Sequence, residues 1–581
     1  MWRWLRISLF LFLLGVAGFT GLIGFSAYRF HNAAHLSAVP ALRYAEEYMV
    51  SAADPYAVQA GLEMLRRGGS ALDAAVAVQM VLTFVEPPES SIGGGGFLLY
   101  REGASGKVTV YDGREIAPHA ATPQRFLLPG GFRMPFWVAV VSGRSVGVPG
   151  IVAMLNAAHQ EHGNLSWDEL FGPVIEMAER GIPMPLRLQE QVAKDPSLWL
   201  FRDTRRFFAT RILSRQPMLI NPELGQTMRI IAQQGSSGFY EGELAGKIAG
   251  AVNSRWIWPG DMTLEDLSSY RPEKRKAVCG NYRAWTVCTI PPPSSGGVTV
   301  LQILGILEHF NLSEMKPNSL EAVHIFAEAS RLAHIDQYDF IGDPEFVDVS
   351  FEIMLDKDYL KERARLIQPQ TALPAVQPGQ PAGGLMNEKP QKLNGNGSSN
   401  TTHFSIVDGD GNVAAMTSSI EVSFGNRNMV GGFMLNSQLT DFFFEPYRDD
   451  SLAANAVGPG KRPRSWMSPT IVMDSDGEIR LIIGSRGGSS IVAYVAKTII
   501  GVLDWNLSLQ EAISLPNIVA RGPDLLLEKD TVVTDLTGEL VALGHRVKLN
   551  SLVSGLHGME RIDKRWRSGV DPRLGGAAAG K

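Results

Sequence analysis

Ser398-Ser399-Asn400-Thr401-Thr402-His403-Phe404-Ser405 joins two unlike stretches of chain. Upstream, from Pro369 to Asn400, proline, glycine, glutamine, asparagine and serine dominate and apolar periodicity vanishes, the composition of a flexible surface linker. Downstream, Thr402–Val407 and Val413–Ser418 alternate about Asp408-Gly409-Asp410-Gly411-Asn412, a hairpin signature. A threonine that opens a strand straight out of a linker has a chemical consequence. Its hydroxyl is a poor nucleophile without an adjacent base, and its own α-amino group becomes that base once the preceding peptide bond is cut. Thr-Thr at a strand start is also ordinary β propensity. The junction therefore takes its meaning from the rest of the chain, and the absence of apolar pattern before it implies an exposed Asn400, free to strain and cleave.

Working outward, Tyr48 to Val85 reads as helix broken at Gly68-Gly69, and Phe97–Tyr100 and Val108–Tyr111 read as strands around a charged turn. Helical pattern dominates from Ile151 to Lys247 and from Thr299 to Tyr338, with Pro291–Gly297 as a rigid loop between them. A second hairpin flanks Asp474-Ser475-Asp476-Gly477, and no repeat of fixed period occurs. Strands and helices in mixed order imply a layered α/β or α+β body and not a bundle.

Composition narrows the function. The chain has 581 residues, 45% apolar and 19% charged, the make-up of a core-forming protein. A formal net charge of −5 supplies no basic field to recruit nucleic acid. Two cysteines, Cys279 and Cys288, exclude a disulfide scaffold, a four-cysteine zinc site and a cysteine-held iron–sulfur cluster. The 60 glycines cluster at Gly93–Gly96, Gly296-Gly297, Gly431-Gly432 and Gly487-Gly488, where tight turns or close approach to a ligand are expected.

Three motifs read as structure. Gly143-Arg144-Ser145-Val146-Gly147 has the spacing of a nucleophile elbow, but Pro149-Gly150 interrupts the helix that must follow, so it reads as a turn. Gly242–Ile248 has the wrong spacing for a phosphate loop and lacks the serine or threonine after Lys247, so it reads as a solvated helix. His159 and His162 lack a third ligand at a suitable spacing and read as exposed histidines at a helix end, where they suit the dipole. No metal or cofactor site is readable. At the N-terminus, Arg3 and Arg6 precede an uncharged stretch, Ile7 to Ala27, and Arg29 follows. Its length matches the roughly 30 Å hydrocarbon core, so residues 1–30 read as a signal-anchor with the N-terminus in the cytoplasm, or as a cleaved signal peptide ending near Gly24-Phe25-Ser26. Either exports the body.

Ordered blocks along the body resemble the γ-glutamyltranspeptidase family. They include Gly68-Gly69 with Asp73-Ala74-Ala75, Gly93–Phe97, Asp112-Gly113-Arg114-Glu115, Pro291–Gly297 and Glu328-Ala329 with Gly342-Asp343-Pro344. Further on come Thr401–Ser419, Met467-Ser468-Pro469-Thr470, Gly484-Ser485-Arg486-Gly487-Gly488 and Asp571-Pro572-Arg573 with Gly575-Gly576-Ala577. The resemblance implies a four-layer αββα sandwich of the N-terminal-nucleophile hydrolase type. It implies a precursor cut between Asn400 and Thr401 into a large chain, 31–400, and a small chain, 401–581, that stay intertwined. Thr401 would attack a γ-glutamyl carbonyl, as in glutathione, supported by Ser419. The N–H groups of Gly487 and Gly488 would form the oxyanion hole, and the acyl group would pass to water or to an amino acid or peptide.

Arg114 matches the residue that grips the substrate carboxylate. Gln438 and Asp441 match acceptors for its α-ammonium, with Glu421 where many relatives carry asparagine. Ser465 keeps one of two consecutive serines for the carboxylate, while Trp466 replaces the other with an apolar wall and a single donor. Two other functions stay open on the same scaffold, a glutaryl-cephalosporin-type acylase and a non-catalytic membrane-anchored binding protein. The intact Thr401 and Gly487-Gly488 argue against the last.

Overall fold

The computed structural model describes residues 44–338, 340–379, 399–448 and 451–581. Its centre is the strand Ser399–Val407, which pairs antiparallel with Val413–Val422 on one side and Met49–Ala52 on the other. Gly95–Arg101, Val108–Gly113 and Glu273–Lys276 continue the sheet beyond Val413–Val422, and Ala577–Gly580 closes it beyond Met49–Ala52. A second antiparallel sheet runs Arg565–Val570, His557–Ile562, Ile479–Gly484, Thr470–Met473, Trp285–Thr289, Val278–Tyr282.

Alternation along the strands builds the layers. Phe97, Leu99, Val110, Val407 and Ala415 of the first sheet meet Ile471, Ile482 and Met559 of the second in one buried cluster between the sheets. The opposite face of the first sheet, with Leu98, Tyr100, Phe404, Ile406 and Met416, packs on the helices Pro55–Arg66, Ala71–Val85 and Ile151–His162. The outer face of the second, with Val287, Val472, Leu481 and Ile483, packs on Ser295–Leu307, Leu320–Tyr338 and Ile491–Leu503. The order is αββα, as the resemblance implies.

Several local readings change. Met49–Ala52 is a strand inside the stretch read as helix. The region read as linker splits: Gly379 N–H donates to Asp336 at 2.9 Å and Leu373 N–H to Glu328 at 2.8 Å, so its first part is fixed, and residues 380–398 lie outside the described set. The 1–30 segment also lies outside it, and among the described residues no helix is long and apolar enough to cross a membrane. Cys279 and Cys288, cross-strand neighbours in the hairpin Val278–Thr289, form a disulfide that the cysteine count alone did not reveal.

The glycine run Gly93–Gly96 is required by close approach. A Cβ on Gly94 would lie 2.2 Å from the Ser419 carbonyl oxygen, and one on Gly96 2.6 Å from that of Thr417. This lets Gly95–Arg101 lie tightly against the hairpin that carries Thr401. Gly94→Ala is expected to push that hairpin out of register, lowering stability by about 1–3 kcal/mol, as a fall in thermal midpoint checks.

Candidate active site

The junction sits inside the first sheet, at one end of the inner strand Ser399–Val407. Thr401 pairs with Ser419 and Asn400 with Glu421, and the register shifts between these two pairs so that Ile420 is bulged out. The bulge sets Glu421 at φ 79°, a left-handed backbone that a glutamate adopts only under constraint. Asn400 is not exposed, as its sequence neighbourhood implied. It is 94% buried, because the strand begins at Ser399 and encloses the Asn400–Thr401 bond. Ser419 Oγ donates to the Asn400 carbonyl oxygen at 2.7 Å and accepts from Glu421 N–H at 2.9 Å. Ser419 thus polarises the Asn400–Thr401 peptide bond. The turn Gly488–Ser490, at the start of Ile491–Leu503, packs against the same strand, with Gly487 at φ 121° and Gly488 at φ 55°. Glycine adopts such angles at little cost.

Charged groups fill the floor beside the junction. Arg187 donates to Glu86 at 3.0 Å and to Glu89 at 2.7 Å, Thr402 Oγ1 donates to Glu86 at 3.0 Å, and Gln191 donates to Glu89 at 2.6 Å. Arg486 bridges Glu89 (2.7 Å) and the Asn400 side-chain oxygen (2.9 Å). Burial raises both glutamates above the usual carboxylate range, against the pull of Arg187, and takes nearby Asp54 to about 7. These residues were not singled out in the sequence, although Glu86 and Glu89 flank Pro87-Pro88 just before the glycine run and Arg486 precedes Gly487.

On the other side of Glu421 lies a second cluster. Gln438 Nε2 donates to Glu421 and to Asp441, each at 2.8 Å, and Asp441 pairs at 2.5 Å with Arg114. Arg114 is fully buried and also donates to the carbonyls of Pro463 (3.0 Å) and Arg464 (2.8 Å), with Glu115 3.7 Å away. Burial pushes Glu115 up to about 8, and burial beside Asp441 holds Glu421 well above the usual carboxylate range. Four buried atoms here have no hydrogen-bond partner: Arg114 Nη1, both Glu115 carboxyl oxygens and Gln438 Oε1. One donor and three carboxyl or amide oxygens are thus buried together without partners, which is uncommon for buried polar atoms.

Ser465 joins this wall from the rigid loop, its N–H donating to Pro293 O at 3.0 Å and its hydroxyl accepting from Met467 N–H at 3.1 Å. The Trp466 ring packs on His334, 5.5 Å between centroids, with the Arg464 guanidinium 5.0 Å from its centroid. The motifs read as structure are structural. Ser145 Oγ donates to Val140 O at 2.7 Å inside a turn, and Lys247 pairs with Glu243 on an exposed helix face. His159 and His162 are not exposed, however. His159 lies 3.2 Å from Asp73, and His162 stacks on Tyr100 and bonds the Tyr111 hydroxyl at 2.8 Å, because the helix end folds onto the sheet. Among the described residues no group of three His, Cys, Asp or Glu side chains is placed to hold a metal ion.

Two covered sheets, with a threonine in an inner strand behind a polarised peptide bond, define an N-terminal-nucleophile hydrolase. The family model for gamma-glutamyltranspeptidase matches residues 57–581. The glutathione hydrolase proenzyme of Bacillus subtilis (strain 168) is 36% identical, covering 86% of this chain and 85% of its own. That of Escherichia coli (strain K12) is 34% identical, with 91% of each chain covered. The crystal structure of cephalosporin acylase from Bacillus halodurans superimposes with a TM-score of 0.80 at 26% identity, covering 95% of this chain and 98% of that one. The chain belongs to the gamma-glutamyltranspeptidase family and is an enzyme of its glutathione hydrolase and γ-glutamyltransferase class.

Ser419→Ala removes the donor on the scissile carbonyl. The two-chain form is expected to appear about 10²–10³-fold more slowly, measured as band intensity on denaturing gels over time.

Proposed function

We propose that this chain is an exported proenzyme that cuts itself between Asn400 and Thr401 and then moves γ-glutamyl groups from donors such as glutathione to water or to an amino acid or peptide. In the cut, Thr401 Oγ bonds to the Asn400 carbonyl carbon. The Asn400–Thr401 C–N bond breaks, and the hydroxyl proton ends on the Thr401 nitrogen. Water then hydrolyses the resulting ester, leaving the Asn400 carboxylate and a free Thr401 hydroxyl and amine. In turnover the amine takes the hydroxyl proton as Thr401 attacks the γ-carbonyl, and it returns a proton to the leaving amine. The N–H groups of Gly487 and Gly488 receive the oxyanion. Ser419, released from Asn400, then supports the Thr401 hydroxyl.

The observation that carries the donor assignment is the set of unpartnered atoms around Arg114. Arg114 Nη1 matches an α-carboxylate, and Glu115, Glu421, Gln438 and Asp441 match an α-ammonium. A glutaryl group has the carboxylate and no ammonium, so it leaves this acidic excess without a cation. Export is supported by Arg3, Arg6 and the uncharged stretch Ile7–Ala27, and by the Cys279–Cys288 disulfide, a bond that persists in oxidising compartments.

The test joins gels to kinetics. Wild-type protein from the trans side of the membrane should run as chains of about 400 and 181 residues, and Thr401→Ala should stay whole and inactive. On anilides, γ-glutamyl should outrun glutaryl. KM for the γ-glutamyl donor should fall as pH rises through about 8, because the raised carboxyl of Glu115 then loses its proton and attracts the cation more strongly. A Thr401→Ala chain that still splits at Asn400, or equal use of both anilides, defeats the reading.

Acylase activity on glutaryl-type amides is the second reading, supported by the Trp466 ring, an apolar surface at the position of the second serine. Trp466→Ser restores a hydroxyl for the carboxylate and gives up packing on His334. The expected outcome is a KM for glutathione lower by roughly tenfold or more, a smaller change in kcat and a lower melting temperature. No gain on γ-glutamyl donors would make Trp466 part of the native pocket.

A further inference from the structure

Arg486 immediately precedes the glycine pair, and its main chain is clamped. Its N–H donates to Ser554 O at 3.2 Å, and its carbonyl accepts from Ser485 Oγ at 2.8 Å. Gly555 makes room for the side chain, since a Cβ there would lie 2.6 Å from Arg486 Cδ. The guanidinium then reaches across to the precursor junction. Nη2 donates to Asn400 Oδ1 at 2.9 Å, and Nη1 lies 2.7 Å from Glu89 Oε1. Glu89 is itself held by Arg187 and Gln191 and is 99% buried, so the cation is fixed from behind.

Self-cleavage by this chain needs the Asn400 carbonyl carbon held over the Thr401 hydroxyl. Strand pairing with Glu421 and the hydrogen bond from Ser419 fix the Asn400 main chain, at the very start of the strand, and leave its side chain to be held separately. An anchor on that side chain completes the placement of the residue at the strand end. The planar fork of arginine suits the task because it contacts Glu89 and Asn400 through different nitrogens at once. We infer that Arg486, braced by Glu89, is a positioning residue for self-cleavage that acts by holding the Asn400 side chain. The inference rests on the self-cleavage reading above.

The experiment follows conversion of pulse-labelled precursor into two chains for wild type, Arg486→Ala, Arg486→Lys, Asn400→Ala and the double variant Arg486→Ala/Asn400→Ala. Loss of a charge-assisted bond should slow cleavage by about ten- to a hundredfold in Arg486→Ala and in Asn400→Ala. The double variant should be no slower than the slower single one. Arg486→Lys should cleave faster than Arg486→Ala, and added guanidinium chloride at millimolar concentration should speed Arg486→Ala but not Asn400→Ala. Cleavage of Asn400→Ala at the wild-type rate, or a double variant whose slowing is the product of the single effects, overturns the inference even where Arg486→Ala fails to fold. Precursor that never divides, or Thr401→Ala that divides, defeats the self-cleavage reading instead. Wild type that divides and Thr401→Ala that does not, with both Arg486 variants at the wild-type rate, defeats the positioning role alone.

Discussion

The site depends on one hydrogen-bonded register, that of Ser399–Val407 against Val413–Val422. With Thr401 opposite Ser419, the Ser419 hydroxyl meets the carbonyl of Asn400, and the bulge at Ile420 turns Glu421 toward Gln438 and Asp441. A slip of one residue would send each side chain of the strand to the other face. Thr401 would then leave the site and Phe404 and Ile406 would leave their helices. The register is fixed at both ends. Gly94 and Gly96 admit the neighbouring strand at one end, and at the other Asp408 in the hairpin turn accepts from Ala71 N–H at 2.8 Å, the start of Ala71–Val85. Between them His403, buried and held down to about 3 by desolvation, is neutral and bonds Thr417 and Ser405. The geometry of the junction is thus a property of the whole sheet.

Two buried charged clusters flank this register and differ in a way that matters. On the Glu86–Glu89 side, two arginines stand close to two glutamates, so charges balance even though Glu89 Oε2 and Arg486 Nη1 make no hydrogen bond. Such a network is near neutrality and holds its neighbours in place. On the Arg114 side, one arginine faces Glu115, Glu421 and Asp441, and polar atoms are left over. Desolvation there raises Glu421 well above the usual carboxylate range and Glu115 to about 8, which lowers the cost of burying so many acidic groups together. The first cluster suits a structural and positioning task, the second suits recognition.

Much of this was legible in the chain because the signals are local. Hairpins at Asp408–Asn412 and Asp474–Gly477 announce themselves by turn residues between alternating strands, and the glycine pairs mark close approaches. The order of motif blocks carried the fold, with Gly93–Phe97, Asp112–Glu115 and Thr401–Ser419 falling on neighbouring strands of the first sheet and Glu328-Ala329 within a covering helix. What stayed hidden is tertiary. Asn400 looked exposed because its upstream neighbours are polar, yet its environment is set by Glu86, Glu89 and Arg486, each some 86 or more positions away in sequence. His159 and His162 looked solvated for the same reason, and their partners Asp73 and Tyr111 come from other elements. The Cys279–Cys288 pair depended on knowing that nine positions of separation form a tight hairpin.

Glu421 shows how strand geometry and specificity are coupled. Its carboxylate can reach Gln438 only because the bulge lifts its backbone to positive φ, a conformation that costs a non-glycine residue on the order of 1 kcal/mol or more. A carboxylate in place of an amide adds a second cost, because it must be desolvated beside Asp441. Both costs are met where the ligand brings a positive charge, and neither is offset by a ligand without one. In the donor reading proposed above, Trp466 works in the opposite direction, since its indole, packed on His334, replaces the hydroxyl that would hold the ligand's anionic end. The pocket is therefore biased toward its ammonium contact and away from its carboxylate contact, with Arg114 carrying most of the latter. Under the proposed donor reading, that asymmetry follows from which groups are buried around one hairpin, and two consecutive serines would give a more balanced pair of contacts.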